Sequence, residues 1–555
     1  MASAPPALRR GSWFRTAVFY EIPVRSFFDS NGDGIGDLAG VTQKLDYLSE
    51  LGVGAIWLLP FYRSPWRDEG YDISDHYSID PTLGTIGDLD RLIAEAHGRG
   101  IRMLGDLVTN HVSIDHPWFQ EARRDRQSRY RSWFLWSDTG KEFSRTRVIF
   151  RDTEKTNWTW DEVAGQYYFH RFYATQPDLN YDEPAVREEM FRVARFWLRH
   201  GLDGFRCDAV PYLYKREGTR CQSLPEVHQF FRELRSILDA EFPGTVLVAE
   251  ANQSVPETVQ YFGQGSEFPM VMHFPLMPNL YLALAEEDPR RLRHVLRATL
   301  PAPPGCGWAY FLRNHDELTL EQVSDDEREM FLWVYGRHPR TVLNGGVRRR
   351  LAPMLEGDET TIVLMTALLL SLPGGPFLYY GDELGMGDRL DLPDRDGVRT
   401  PMQWTAEENA GFSTAPVDRL IRPPVADPNY GPKSRNVADE RRQPDSLFHR
   451  VQQLIRVRSA HVEEFGTEGL RPADSEPSAV FAFWRDQPAA RILCLFNLSR
   501  ATIHGSVRLD PDLKSAPTPV AGDVGVERSE STLSFHLDGR RFGWIRFARP
   551  ISGSS

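Results

Sequence analysis

Apolar residues follow two alternating spacings along most of the chain, and the alternation repeats. Segments with apolar residues three to four positions apart, typical of helices buried along one face, precede short continuous apolar runs typical of buried strands. One helical stripe, through Val227, Phe231, Leu234 and Leu238, leads in this way to the run 246–250. Repeated pairs of this kind predict parallel strands covered by helices.

Eight such runs occur, and their number is informative. A chain in which eight strands alternate with helices is predicted to be an α/β protein with a (β/α)8 TIM barrel, whose active site forms at the carboxyl ends of the strands. The predicted strands are at residues 19–27, 55–59, 102–108, 201–210, 246–250, 270–274, 309–313 and 377–380.

Three segments depart from the repeat. Residues 112–178, rich in Trp, Tyr and Arg, are too long for a barrel loop and predict an inserted subdomain after the third strand. Residues 318–360 form a second, charged insertion after the seventh strand. Short alternating runs separated by Pro, Asp and Gly predict a C-terminal β-sandwich over residues 464–555. The barrel then comprises residues 1–111 and 179–463.

The composition of the chain disfavours several kinds of binding partner and structural site. The net charge of −12 includes no long basic run, which disfavours nucleic acid and anionic membranes as partners. Four scattered cysteines predict neither a disulfide framework nor a zinc site. Residues 1–10 lack the apolar core of a signal peptide, and the longest apolar run, 362–372, is about half the length that crosses a bilayer. We therefore expect a soluble, cytoplasmic protein; whether it forms a homo-oligomer is left open.

Polar residues stand at the ends of four predicted strands. Arg206 and Asp208 are two apart, so strand alternation points both to one face, where the guanidinium can keep the carboxylate ionised as a nucleophile must be. Glu250 has no adjacent cation in the sequence, and a raised pKa would suit a general acid/base. A structural ion pair and hydrogen-bonded core histidines are the alternatives. The residues at these strand ends are Asp106, Asn110, His111, Arg206, Asp208, Glu250, Asn314, His315 and Asp316.

Three of these residues, Asp208, Glu250 and Asp316, are carboxylates. Two carboxylates that flank a glycosidic bond, one ionised and one protonated, carry out retaining hydrolysis or transfer. The sequence therefore predicts an enzyme acting on glycosides.

Five motifs resemble the signature regions of the α-amylase superfamily, glycoside hydrolase family 13. They are Asp106-Leu-Val-Thr-Asn-His111, Gly204-Phe-Arg-Cys-Asp208, Val248-Ala-Glu250, Asn314-His-Asp316 and Gln176-Pro-Asp-Leu-Asn180. The resemblance implies that Asp208 is the nucleophile, Glu250 the acid/base and Asp316 the transition-state stabiliser. It further implies that Arg399 pairs with Asp68. The substrate-binding residues that it implies are Asp68, Tyr71, His111, Phe172, Gln176, Arg206, His315 and Arg399.

Within the family, residues 204–213, 249–253, 313–321 and 348–353 resemble the members that interconvert maltose and trehalose. These members act by intramolecular transglucosylation with double displacement and release a minor amount of glucose. Water must be excluded, so the two insertions are expected to cover the pocket. The alternatives are an α-glucosidase or oligo-1,6-glucosidase that hydrolyses short α-glucosides, and a catalytically silent binding subunit, which should lack the carboxylates.

A calcium site is expected in the loop 29–37, and no organic cofactor is expected. The oxygen ligands have EF-hand-like spacing, although Gly40 stands where an EF-hand carries its last glutamate; a solvated Asx turn is the alternative. The predicted ligands are Asp29, Asn31, Asp33, the carbonyl of Ile35, and Asp37.

The resemblance also suggests a second calcium ion near the active site. Its implied ligands are Asn110, Asp178 and the carbonyls of Tyr212 and Leu213. Lys215 stands where relatives carry an acidic residue.

Overall fold

The computed structural model describes residues 13–299, 301–466, 469–488 and 490–548. Residues 1–10, which were considered above for a signal peptide, lie outside the described residues. The first residues of the predicted barrel domain and the last residues of the predicted β-sandwich domain also lie outside the described residues.

Eight parallel strands form a closed barrel, which confirms the predicted fold class. Each strand, β1 to β8, is hydrogen-bonded to its neighbours in chain order, and β8 pairs with β1. The strands are Phe19–Ile22 (β1), Ala55–Leu58 (β2), Arg102–Val108 (β3), Gly204–Asp208 (β4), Val246–Ala249 (β5), Met270–Met272 (β6), Gly307–Phe311 (β7) and Gly374–Tyr379 (β8).

Amphipathic helices cover the barrel strands. The helix before β4 begins at Pro184, whose missing N–H costs nothing in a first turn, and it buries Val186, Met190, Val193 and Trp197. No helix among the described residues is long and apolar enough to cross a membrane. The longer helices are Leu38–Gln43, Leu45–Leu51, Ile86–Gly98, Pro117–Arg124, Pro184–Arg199, Pro225–Glu241, Leu276–Glu286, Arg290–Ala298, Asp325–Tyr335, Glu359–Ser371 and Leu447–Ala460. Shorter helices are Val24–Phe27, Val255–Thr258, Leu351–Met354, Val437–Glu440 and Val462–Phe465.

Proline and glycine account for two differences from the predicted strand bounds. The first strand stops at Ile22 because Pro23 starts the short helix Val24–Phe27. The last strand starts at Gly374, three residues earlier than predicted. A β-carbon at Gly374 would collide with the carbonyl oxygen of Trp308 on the neighbouring strand, so this glycine permits strand pairing rather than ending it.

Small sheets lie in the segments outside the barrel repeat. The segment 112–178 contains a three-stranded antiparallel sheet of Trp136–Ser137, Gln166–Phe169 and Trp158–Asp161. The segment 318–360 contains the pair Val342–Leu343 and Gly346–Val347, and the β2–β3 connection contains the pair Tyr62–Arg63 and Asp75–Ile79.

Two antiparallel sheets form the C-terminal domain and share a core that includes Trp484, Leu493, Val507 and Leu533. The predicted β-sandwich is therefore confirmed. One sheet orders Arg471–Pro472, Val480–Asp486, Ala490–Asn497, Phe542–Ala548 and Thr518–Gly522. The other orders Ser475–Glu476, Ile503–Arg508, Thr532–Leu537 and Gly525–Arg528.

Candidate active site

A pocket opens at the carboxyl ends of the barrel strands, where this fold places its chemistry. Its wall also includes residues from both insertions. The lining residues are Asp68, Tyr71, His111, Arg147, Ile149, Phe150, Phe172, Asp208, Ala209, Pro211, Tyr212, Glu250, Asn252, Phe274, Met277, Asn314, His315, Asp316, Glu317, Thr319, Glu321 and Arg395. The three carboxylates expected to carry out the chemistry therefore face one cavity.

One arginine organises the pocket floor. Arg206 is fully buried, and its Nη1 lies 2.5 Å from Asp208 Oδ1 and 2.8 Å from Asp106 Oδ1. Its Nη2 lies 2.6 Å from Glu250 Oε1. Parallel pairing of β3 with β4 sets Asp106 opposite Arg206, so strand register fixes this contact. The guanidinium holds the expected nucleophile and the expected acid/base at its two ends.

Glu250 has no adjacent cation in the sequence, but Arg206 contacts it from the neighbouring strand. Burial nevertheless raises the pKa of Glu250 to about 7, against the opposing effect of Arg206 and with a further increase from Asp208. Burial likewise raises the pKa of Asp208 to about 6, because Arg206 offsets only part of the desolvation. At neutral pH Asp208 is mostly ionised, while about half of Glu250 carries a proton.

Asp316 lies in a cationic environment. Its Oδ1 lies 2.8 Å from Arg395 Nη1 and 3.1 Å from Arg399 Nη2. Burial favours the protonated form, but His315, Arg395 and Arg399 outweigh it and hold the pKa of this carboxyl below its usual range. Asp316 is therefore ionised at neutral pH.

Arg395, rather than Arg399, pairs with Asp68, which corrects the expected pairing. Arg395 Nη2 lies 2.6 Å from Asp68 Oδ1, whereas Arg399 donates to the carbonyl of His315 at 2.9 Å and contacts Asp316. Arg399 is buried and is not among the residues that line the cavity. Gln176 Nε2 donates to the second oxygen of Asp68 at 2.9 Å, which fixes the carboxylate from both sides.

Aromatic and imidazole rings form the rest of the inner wall. Tyr71 stacks on His315 with ring centroids 5.4 Å apart, and His111 packs against Phe172 at 5.2 Å. His315 Nδ1 lies 2.5 Å from Glu21 Oε1, which leaves Nε2 facing Asp316. His111 Nε2 is buried without a hydrogen-bond partner among the described residues. A sugar hydroxyl in the cavity would supply the missing partner.

Polar contacts join the two insertions beside Arg147 and Glu321, which line a partly exposed edge of the pocket, called the mouth below. Arg147, from the first insertion, donates from Nη2 to Glu321 Oε2 at 2.7 Å, and Asn252 Nδ2 donates to the same oxygen at 2.9 Å. A second contact joins the insertions, where the Asn344 N–H donates to Asp152 Oδ2 at 2.7 Å. Both segments therefore lie over the pocket, where a lid is expected.

Several residues of the site were not singled out from the sequence. The sequence did contain a signal for Glu21, because a carboxylate inside the apolar run of β1 needs a partner. That partner is His315. Arg395 and Phe150 had none, because both lie in irregular segments without periodicity, although the Arg395 guanidinium sits 5.0 Å from the Phe150 ring centre. Glu321 lay within a motif, but its role became clear only from its contact with Arg147.

The loop 29–37 is folded on its own side chains. Asp29 Oδ1 accepts from the N–H groups of Asn31 and Gly32, and Asp33 Oδ1 accepts from Ile35 N–H. Its donor set consists of oxygens, as calcium prefers. Within the described ranges, however, no three His, Cys, Asp or Glu side chains come together closely enough to hold a metal. Calcium binding here stays a prediction, and none of the loop residues lines the pocket.

The second expected calcium position is filled by an amine. Lys215 Nζ lies 2.6 Å from Asp178 Oδ2, 3.2 Å from Asn110 Oδ1 and 3.3 Å from the carbonyl oxygen of Leu213. Three of the four implied ligands thus surround an ammonium group. These residues do not fit a metal ion while Lys215 is in place, because both cations would need the same space.

Comparisons with known proteins agree with this geometry. The family model described as alpha amylase, catalytic domain, matches residues 21–466. The chain is 48% identical over 551 residues to the trehalose synthase/amylase TreS of Mycobacterium tuberculosis, covering 98% of this chain and 92% of the relative. It is 45% identical over 552 residues to the trehalose synthase of Pimelobacter sp., covering 97% and 96%. Curated glucosidases match at 31–32% identity. The crystal structure of the alpha-glucosyl transfer enzyme XgtA superposes with a TM-score of 0.77 at 29% identity, covering 97% of this chain and 99% of that one.

Proposed function

The chain belongs to the α-amylase catalytic-domain family, and we propose that it is a trehalose synthase, an isomerase that interconverts maltose and trehalose and releases a minor amount of glucose. High identity to curated trehalose synthases over nearly the whole chain supports this activity, since the glucosidases match at markedly lower identity. The observation that carries the proposal is the bridge of Arg147, Glu321 and Asn252 above three pocket carboxylates. By restricting the entry of water, such a bridge would favour transfer over hydrolysis.

In the first half-reaction, Asp208 attacks C1 of the non-reducing glucose of maltose and the C1–O4 bond breaks. Glu250, about half protonated at neutral pH, gives its proton to the departing O4. The products are a β-glucosyl ester on Asp208 and a glucose molecule. Arg206 contacts both carboxylates and would orient them for this step.

The ionised Asp316 would stabilise the positive charge that develops on the sugar ring in the transition state. Its position is set by Arg395, which also holds Asp68. We assign Asp68, Gln176, His111, Tyr71, Phe172 and His315 to the inner glucose site and Arg399 to positioning of Asp316. The unpaired Nε2 of His111 supports a sugar hydroxyl at that place.

In the second half-reaction, the freed glucose turns within the closed pocket so that its anomeric hydroxyl faces C1. Glu250, now ionised, takes the proton of that hydroxyl, O1 attacks C1, and the ester bond to Asp208 breaks. The product is the α,α-1,1 linkage of trehalose. Water that enters instead attacks the same ester and gives two glucose molecules, so the bridge at the mouth sets the ratio of products.

Time courses with purified protein and maltose test the assignment when trehalose and glucose are resolved separately. Trehalose accumulating well ahead of glucose, and neither forming with the Asp208→Ala variant, is the expected result. Glucose without trehalose would reassign the protein as an α-glucosidase and remove the role of the bridge.

Calcium in the loop 29–37 is also part of the proposal. Asp29, Asn31, Asp33, Asp37 and the carbonyl of Ile35 would hold it, away from the reacting atoms, and its effect would be on stability. The loop packs on the segment that follows β8, since Asp29 N–H donates to the carbonyl of Phe412 at 3.0 Å. Chelation should lower the melting temperature by a few degrees in the wild type and leave the Asp33→Ala variant unaffected; equal effects on both would exclude this site.

A cytoplasmic location completes the proposal. Cys207, Cys221 and Cys494 are buried thiols, which suits a reducing compartment. Fractionation of cells that express the protein with its native ends tests the location, and recovery outside the cytoplasm would contradict it.

A further inference from the structure

The corner of the pocket beside β3 and β4 is held by a single buried ammonium group. The Lys215 side chain is 2% exposed, and its Nζ contacts an amide oxygen of Asn110, a carboxylate oxygen of Asp178 and the backbone carbonyl of Leu213. These three partners belong to three separate segments: the end of β3, the return of the first insertion to the barrel, and the connection after β4.

Each partner of Lys215 adjoins a residue that lines the pocket. Asn110 precedes His111, and Leu213 follows Tyr212. Asp178 is the third link, because its Oδ1 accepts the N–H of Arg171 at 2.8 Å, next to the wall residue Phe172. The ammonium group therefore sets the relative positions of three parts of the wall while lining none of it.

The charges at this corner do not favour the binding of a divalent ion. Among the described residues, Asp178 is the carboxylate that contacts Lys215, and the other two contacts are neutral oxygens. A second cation, the Arg171 guanidinium, packs 4.4 Å from the centre of the Tyr212 ring in the same corner. A calcium ion added here would meet two positive groups and a single negative one in a buried environment, which is strongly unfavourable.

We propose that Lys215 is a positioning residue whose ammonium group replaces a divalent metal ion at this corner and makes the active-site wall independent of metal. The proposal concerns the architecture of the wall and holds whether the pocket isomerises or hydrolyses its substrate. It predicts that exchanging the charge at residue 215 restores a requirement for calcium. A carboxylate at that position, together with Asp178, Asn110 and the Leu213 carbonyl, offers the all-oxygen donor set that calcium prefers.

The test uses full-length protein carrying Asp33→Ala, so that calcium at the loop 29–37 does not contribute. With Lys215 present, calcium and EDTA should both leave the melting temperature and kcat unchanged, and isothermal titration should detect no calcium binding. With Lys215→Glu, the metal-free protein should melt several degrees lower and lose most of its kcat. Added calcium should restore both.

Two further variants separate positioning from general damage. Lys215→Met should lower the melting temperature and kcat without recovery in calcium, because it removes the charge and offers no new ligand. Lys155→Met, at an exposed lysine of the first insertion, is the control and should change neither.

Three results would overturn the proposal: calcium binding or calcium-dependent melting with Lys215 in place, wild-type stability and kcat in Lys215→Met, or a folded Lys215→Glu variant that calcium does not rescue. If Lys215→Glu does not fold, the titration of the protein that retains Lys215 decides between one bound calcium ion and none.

Discussion

The floor and the mouth of the pocket are held together by forces of very different size. On the floor, Arg206, Asp208 and Glu250 stand on adjacent hydrogen-bonded strands and are largely removed from water. Removing one partner from such a buried group costs about 3–5 kcal/mol. At the mouth, Arg147 and Glu321 meet with side chains 45% and 26% exposed, and such pairs contribute about 0.2–1 kcal/mol.

This difference assigns separate tasks to the two regions. The floor is rigid enough to keep a nucleophile and an acid/base in place through two half-reactions. The mouth can open at a cost close to thermal energy, which admits a disaccharide, and close again before water attacks the ester. Bond cleavage therefore depends on the floor, whereas the choice between transfer and hydrolysis depends on the mouth.

Removing the nucleophile from the floor should have the largest effect. Asp208→Asn keeps the shape of the side chain but cannot form the glucosyl ester, so kcat for maltose should fall by at least about 10,000-fold. Trehalose and glucose should fall together, because both arise from the ester. An unchanged melting temperature serves as the control for folding. Loss of trehalose alone would mean that hydrolysis uses another nucleophile.

The pH profile should report the two floor carboxylates. Activity requires ionised Asp208, with a pKa of about 6, and protonated Glu250, with a pKa of about 7. The value of kcat/KM should therefore be highest between about pH 6 and pH 7 and fall toward tenfold per unit on either side. In Glu250→Gln, assayed with an aryl α-glucoside that has a good leaving group, the alkaline limb should disappear. Its persistence would assign the acid to another residue.

The wall arginine Arg395 should have an intermediate effect. Arg395→Lys cannot hold Asp68 and Asp316 together, since it lacks a forked guanidinium, and KM for maltose should rise about tenfold. Arg389→Lys, which alters an exposed pair with Asp391, is the control. A larger rise in KM for Arg399→Lys than for Arg395→Lys would reverse the assignment made here.

The smallest change in rate, but the clearest change in product, is expected at the mouth. Arg147→Met removes the pair with Glu321, so water should enter more often and the share of glucose among the products should rise several-fold. Total turnover of maltose should change less than about fivefold, in keeping with an exposed ion pair. Arg145→Met, which removes a contact with the carbonyl of Gly218 but no contact with Glu321, is the control. An unchanged product ratio in Arg147→Met would remove the mouth from the explanation of transfer.

The floor could be predicted from the sequence largely because it is periodic. Arg206 and Asp208 alternate within a strand, and eight apolar runs predicted which ends would meet. The contact of Arg206 with Glu250 could not be predicted, because it depends on how far and in which direction the guanidinium reaches within the folded pocket. The mouth and part of the wall could be located but not described, since Arg147, Phe150 and Arg395 lie in irregular segments whose partners are set by tertiary packing. The sequence showed that Lys215 departs from the family pattern, and the structure showed which groups its ammonium group contacts.

A label-exchange experiment tests most directly the claim that the freed glucose stays in the closed pocket. The purified protein is incubated with unlabelled maltose and an excess of fully ¹³C-labelled glucose, and the trehalose formed is analysed by mass spectrometry. Retention in the pocket predicts unlabelled trehalose throughout the reaction, with Arg147→Met admitting some label. Trehalose that carries one labelled glucose from the earliest times in the wild type would show that glucose leaves and returns, and would contradict the closed pocket.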